Sequence, residues 1–356
     1  MKKTRAMELL GIELPIVQAP MAGATTPALV GAVCAAGGLG SFGAAATAPE
    51  RIRAVIHAVR QRTTGSFNMN LFVPDWEPVP DDPARVAAMQ AILAPLHAEL
   101  EAGEVPAPGA LFGPFDKQLE VLMEEQVPVV SFHFGAPPGA VAVLKRGGAV
   151  VMSSATTVAE AVALEEAGVD IIIAQGAEAG GHRGTFAGDW QQSLIGTLAL
   201  VPQIVDAVST PVIAAGGIMD GRGVAAVMAL GAGAAQLGTA YLACPENSIS
   251  PAYRAAVLTA NAERSTVTKV FSGKPARGLR NRYLDTLSQH EDTLLPFPSQ
   301  YSIYRRLRAR ATELEDSDFL PMWAGQGVGL AKEEAAGALT NRLAADAQAV
   351  LDKLRG

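Results

Sequence analysis

The chain has 356 residues, 49% of them hydrophobic and 18% charged, which allows one large core or two modest ones and excludes disorder over most of its length. A net charge of -7, with no Lys/Arg block, excludes general attraction to nucleic acid or to an anionic membrane surface. Cys34 and Cys244 are too few for a disulfide framework and sit in no metal-ligand spacing, so a reducing cytoplasm is expected; Glu8, Gly11 and Glu13 interrupt the apolar run that a signal peptide would need.

Short apolar runs alternate with helical patterns along the chain, as in a parallel sheet covered on both faces. The strands are predicted at 15–19, 39–43, 67–72, 129–133, 149–153, 170–175, 211–215 and 234–238. Between them lie helices such as 157–167, where Thr156 or Thr157 caps the first turn, Glu160 suits a capping box and Gly168 is the stop. Eight strand–helix units in this length match a closed (β/α)8 barrel, the α/β fold predicted here. A doubly wound sheet would carry GxGxxG after its first strand, where this chain has Gln18-Ala19-Pro20-Met21.

Two segments break the rhythm. An insertion at 73–113 follows the third strand, with a helix expected at 83–102. The tail at 245–356, with helical patterns at 251–264 and 302–314, is expected to cross the catalytic end and complete the substrate pocket of a barrel domain at 1–244.

In such a barrel the chemistry sits where strands end and loops begin. Here the strand ends carry Ala19, Pro20, Met21, Asn70, His133 and Gln175. Polar side chains at the tips of apolar strands are costly unless partnered, and a polar ligand over the barrel mouth would satisfy several at once. For Asn70 or Gln175 the alternative is that each ties down loop backbone. The seventh strand runs into Ala215-Gly216-Gly217 and the eighth into Gln236, Gly238 and Thr239. Paired glycines let backbone N–H groups approach an anion closely, so these loops read as a phosphate site, strengthened by the following helix N-terminus.

The sixth strand leads into Gly180-Gly181-His182. Glycines on both sides leave His182 no helical face to pack on, which makes it the first catalytic candidate; His133 is second. His57, His97 and His290 lie in helical or surface contexts, and the histidines show no metal spacing.

The segments QAPMAGATTPALVGAVCAAGGLGSFG, FNMNLF, VSFHFGAPP, AQGAEAGGHRG, PVIAAGGIMDGRG, LGAGAAQLGTAYL, SGKPARGLRNR and MWAGQG together resemble the class I nitronate monooxygenases, formerly 2-nitropropane dioxygenases, over 10–327. The resemblance implies FMN over the barrel mouth, with Met21, Asn70 and Gln175 around its ring and Gly217, Gly238 and Thr239 at its phosphate. It implies His182 as the active-site histidine, acting as base or as cation, and an alkyl nitronate or nitroalkane with O2 as the small-molecule partners. Met152-Ser153-Ser154 stands where related quinone reductases carry a histidine, and Phe297, Tyr301 and Arg305 keep the substrate-side spacing of four while replacing a tyrosine and the lysine. GGIxDGxG and EAGGHxG are shared with FMN-dependent enoyl reductases. The readings left beside it are therefore an NAD(P)H-dependent flavin reductase acting on a quinone or enoyl thioester, and a flavin-binding module without catalysis. Monomer and homodimer are both open.

Overall fold

A computed structural model describes residues 2–74 and 81–355. Eight parallel strands form the barrel: β1 (Ile16–Gln18), β2 (Gly40–Gly43), β3 (Phe67–Phe72), β4 (Val129–His133), β5 (Val150–Ala155), β6 (Ile171–Gln175), β8 (Val212–Ala215) and β9 (Ala234–Leu237). They are joined in the order β1-β9-β8-β6-β5-β4-β3-β2. A parallel bridge between Val17 and Leu39 closes the ring, with Gln18 N–H on the Leu39 carbonyl and Leu39 N–H on the Ile16 carbonyl, both at 2.9 Å. The predicted barrel is thus the observed one.

β3 and β4 have the predicted limits. β1 and β8 start one residue later than predicted, because Pro15 and Pro211 have no N–H to give the ladder. Their carbonyls still accept, from Ala235 N–H at 2.9 Å and Ile172 N–H at 3.0 Å. Thr157 caps the helix Val158–Glu166 by accepting from Glu160 N–H at 3.2 Å, and Gly168 follows with φ 83°. Glu160 does not close the expected box with Thr157. Its buried carboxylate accepts from Thr156 N–H and hydroxyl at 2.7 and 2.6 Å and from Phe186 and Ala187 N–H at 2.7 and 3.0 Å. Four donors compensate its desolvation and pin the loop beyond β6.

The insertion and the tail share a core. The helix Pro83–Glu99, capped by Asp82, buries Met89, Leu93 and Leu96 in one cluster with Val257, Phe271, Tyr283, Leu307 and Phe319 from the tail. The expected helix thus forms, three residues shorter; positions 75–80 of the insertion lie outside the described residues. The short strand β7 (Gly181–His182) joins β10 (Ser265–Thr268) and β11 (Ala276–Leu279) in an antiparallel sheet, with Ala276 opposite His182. The tail therefore grips the His182 loop directly.

The final helix, Ala336–Arg355, does something else. Ala336, Leu339, Leu343 and Ala347 belong to the core between strands and helices, and Thr340 Oγ1 lies 2.8 Å from Tyr241 Oη. It packs beside Gly221–Ala229 and Pro27–Ala35, the helices after β8 and β1, which is the place of the eighth barrel helix. The boundary expected at Cys244 shifts accordingly: 245–335 is inserted between β9 and its own helix, and only that part caps the barrel. At the other end, the helix Arg5–Leu10 plugs the barrel floor with Ala6, Met7 and Leu10 against Val17, Leu39, Val129 and Ile213. Cys34 and Cys244 are buried free thiols, and no helix among the described residues is long and apolar enough to cross a membrane.

Candidate active site

The C-terminal ends of the barrel strands and the cap enclose a cavity of about 660 Å³, in the size range of cofactor sites. Every strand-end residue singled out above borders it: Ala19, Pro20 and Met21 beyond β1, Asn70 on β3, Gln175 on β6, Gly180 and Gly181, Ala215 to Gly217 beyond β8, and Gln236, Gly238 and Thr239 at β9. His133, His182, Phe297 and Tyr301 border it too. Arg305 does not. Two helical segments, Ser299–Ile303 and Arg305–Glu313, meet at Tyr304, so the spacing of four does not carry through to 305. Arg305 is exposed, and Arg308 reaches the cavity instead, its guanidinium carbon 4.5 Å from the centre of the Tyr301 ring.

The glycine loops have the shape of an anion cradle. Gly216 and Gly217 hold φ of 115° and 71°, a consecutive left-handed pair that turns backbone toward the cavity. A Cβ on Gly180 would come within 2.6 Å of Gly325 N, so the chain passes there only without a side chain. Gln236 Oε1 is buried without a hydrogen-bond partner in the same wall, an acceptor that a ligand donor would satisfy. Together these features fit a phosphorylated, hydrogen-bonding cofactor. The helix N-terminus expected to reinforce the cradle is already occupied. The Asp220 carboxylate caps Gly221–Ala229 by accepting from Arg222 and Gly223 N–H at 3.0 and 3.3 Å, and pairs with the Arg222 guanidinium at 2.6 Å. An anion there depends on the loops, not on that helix.

The two amides behave differently from a bare ligand wall. Asn70 Nδ2 donates to the Ser131 hydroxyl and carbonyl at 3.0 and 3.1 Å. Gln175 spends both ends on the loop, donating to the His182 carbonyl at 2.9 Å and accepting from Gly184 N–H at 2.7 Å. For Gln175 the loop-tying reading describes the hydrogen bonds made here.

His182 stands among aromatic rings, with centroids of Trp323, Phe297, Phe72 and Phe134 at 5.5, 5.6, 5.9 and 6.1 Å. Burial, then the neighbouring His133 and Lys274, push its pKa down to about 3. His133 is pushed down to about 4, again chiefly by burial, against a hydrogen bond to the His182 carbonyl and with Lys274 and Arg183 adding to the shift. Burial thus favours the uncharged form of both imidazoles. Lys274 is a basic residue near the pair: its Nζ lies 4.2 Å from the Phe134 centroid and 5.8 Å from that of Phe297. Sequence reading passed over Lys274 and Arg308. The Gly273-Lys274-Pro275 turn was a usable signal for the first, since turn residues beside a glycine-flanked histidine strand are natural site residues.

Comparison with known proteins decides the family. The family model described as nitronate monooxygenase matches residues 3–346. The chain belongs to the nitronate monooxygenase family. A nitronate monooxygenase from Pseudomonas aeruginosa is 44% identical over 99% of both chains, and a probable nitronate monooxygenase from Staphylococcus aureus is 40% identical over 96% of both. Among solved structures, a nitroalkane oxidase from Streptomyces ansochromogenes superposes with a TM-score of 0.90 at 38% identity, covering 99% of this chain and 100% of that one. FabK from Thermotoga maritima follows at 0.79 and 32% identity, covering 100% and 99%. As a nitronate monooxygenase family member the chain is a flavin-dependent oxidoreductase, and the cavity over the barrel mouth is where the candidate residues converge.

Proposed function

We propose that the chain is an FMN-dependent nitronate monooxygenase of the cytoplasm, oxidising alkyl nitronates such as propionate 3-nitronate with O2 to a carbonyl compound and nitrite. The observation that carries this reading is a neutral imidazole, His182, caged by aromatic rings at the mouth where the glycine loops converge. Gly216, Gly217, Gly238 and Thr239 would hold the FMN phosphate, and Met21, Asn70 and the orphan Gln236 oxygen would face its ring system. When bound, FMN supplies the electron transfer from the carbanion-like substrate carbon and the reaction with oxygen.

The protein's own residues bind, orient and move a proton. The rings of Phe72, Phe134, Phe297 and Trp323 keep water from the substrate carbon. Arg308 gives an anionic nitronate favourable potential at the cavity wall. For a neutral nitroalkane, the lone pair of His182 accepts the α proton, a role open to it because burial keeps the ring uncharged.

The reductase reading finds support in the likeness to FabK. Against it stands the end of β5, where Ser154 Oγ lies 2.6 Å from His133 Nδ1, so that corner is spent on the His133 ring. Mixing the purified protein with NADH without oxygen separates the two. Rapid bleaching of the flavin supports a reductase; no bleaching, with oxygen uptake on nitronate, supports the monooxygenase.

A further inference from the structure

His182 Nε2 lies 3.0 Å from Ser272 Oγ, a hydroxyl with no solvent exposure. That hydroxyl donates its own proton to the Lys274 carbonyl at 3.0 Å and accepts from Lys274 N–H at 3.3 Å. A hydroxyl has one proton to give. With it committed to the Lys274 carbonyl, the bond to His182 runs the other way: Nε2–H donates and Ser272 accepts. The lone pair of the neutral ring is then on Nδ1.

We propose that Ser272 is a positioning residue that holds His182 in the Nε2–H tautomer and so makes Nδ1 the proton acceptor. The turn that carries it is rigid. Gly273 has φ 84°, and a Cβ there would lie 2.5 Å from the Leu295 carbonyl oxygen and 2.6 Å from Phe297 N, so the turn is locked against the strand of chain that presents Phe297. The ring and the backbone of His182 are held separately. His133 Nε2 and Gln175 Nε2 both donate to the His182 carbonyl, and β11 pairs with the residue itself, while among the described residues it is Ser272 that bonds the ring nitrogen. Removing the hydroxyl therefore frees the tautomer without freeing the loop. When Nδ1 takes a proton, Ser272 still accepts from Nε2–H and stabilises the resulting cation.

This inference rests on the reading that His182 takes up the α proton of a neutral nitroalkane. In Ser272→Ala, with FMN bound, kcat/KM for a nitroalkane is expected to fall about 10- to 100-fold. The preformed nitronate, which needs no base, should keep its rate, and the acid limb of the nitroalkane pH profile should move to lower pH. Ser272→Thr, which keeps the hydroxyl, should restore both. Equal loss on the two substrates would make Ser272 merely structural, and no loss on either would remove it from the mechanism. Nitrogen NMR of the histidine-labelled wild-type protein reads the tautomer without any variant at Ser272, the His182 signal being assigned by its disappearance in His182→Asn. A protonated Nε2 supports the proposal even if nitroalkanes prove not to be substrates; a protonated Nδ1 overturns it.

Discussion

The Nε2 atom of His133 donates to the carbonyl oxygen of His182 across 3.2 Å, while its Nδ1 faces the Ser154 hydroxyl at 2.6 Å. Both nitrogens of His133 are thereby committed, and the ring acts on the site by holding His182 in place. The histidines ranked first and second in the sequence are thus expected to have unequal roles.

The first prediction follows from that asymmetry. His182→Asn should retain flavin and lose about 10²- to 10⁴-fold in turnover of neutral nitroalkanes, the range for removal of a general base. His133→Asn should lose less and should affect nitronate and nitroalkane alike, because it disturbs placement and not proton transfer. Steady-state oxygen uptake by both variants on both substrates checks this; the reverse ranking would make His133 the base.

Gly217→Val is expected to lose most of its flavin. The position has φ 71°, costing an L-residue about 1–2 kcal/mol, and its Cβ would press on Glu178 Cβ at 3.2 Å. Gly238→Val should also lose flavin, with less effect on the fold, since its Cβ makes ordinary contacts with Ala19 Cβ at 3.5 Å and Met21 Sδ at 3.9 Å. Gly176→Val is the contrasting case: its Cβ would collide with Thr197 Oγ1 and Thr197 N, so folding itself should fail. The flavin-to-protein absorbance ratio and a thermal melt of each variant distinguish these outcomes, and a full flavin complement in both Gly217→Val and Gly238→Val would displace the phosphate from these loops.

Arg308→Gln should raise KM for anionic nitronates by roughly fivefold, the equivalent of about 1 kcal/mol for a partly exposed charge. It should also flatten the dependence of KM on ionic strength. Arg305→Gln should do neither, because that side chain lies outside the cavity wall. Kinetics at two salt concentrations give the answer, and a larger effect from Arg305 would restore the spacing-based assignment.

The histidines also give the fold a pH dependence. Their folded-state pKa values, about 3 for His182 and about 4 for His133, lie below the ordinary 6.5. Between those limits the unfolded chain binds protons that the folded one does not. Their contribution to stability is therefore fully present above pH 6.5 and is lost as pH falls toward 4 and 3. Thermal melts should show Tm falling below pH 6.5, with a shallower fall in the double variant His133→Asn, His182→Asn.

Much of the barrel was legible because each strand is a buried apolar run punctuated by glycine or proline, and the strand ends that carry polar residues converge by topology alone. Less legible was anything set by long-range packing. The final helix reads as one more tail helix, and only its contact with the helices after β8 and β1 makes it the eighth barrel helix. Arg305 stands outside the cavity wall, past the junction of two helical segments at Tyr304 that spacing alone does not show. Asp220 presents the same Asp-Gly signal whether it caps a helix or leaves the N-terminus open to a ligand, and the side-chain geometry settled it. Ser272 is brought to His182 only where β11 pairs with β7, a contact between segments about ninety residues apart.

The most direct test of the account is oxygen consumption by the purified protein with propionate 3-nitronate, followed by identification of the flavin released on denaturation. The account predicts rapid oxygen uptake with nitrite formed, and FMN as the flavin recovered, because the glycine loops offer one phosphate cradle. A protein that leaves oxygen untouched with nitronate while NADH bleaches its flavin, or one that releases stoichiometric FAD, would contradict it.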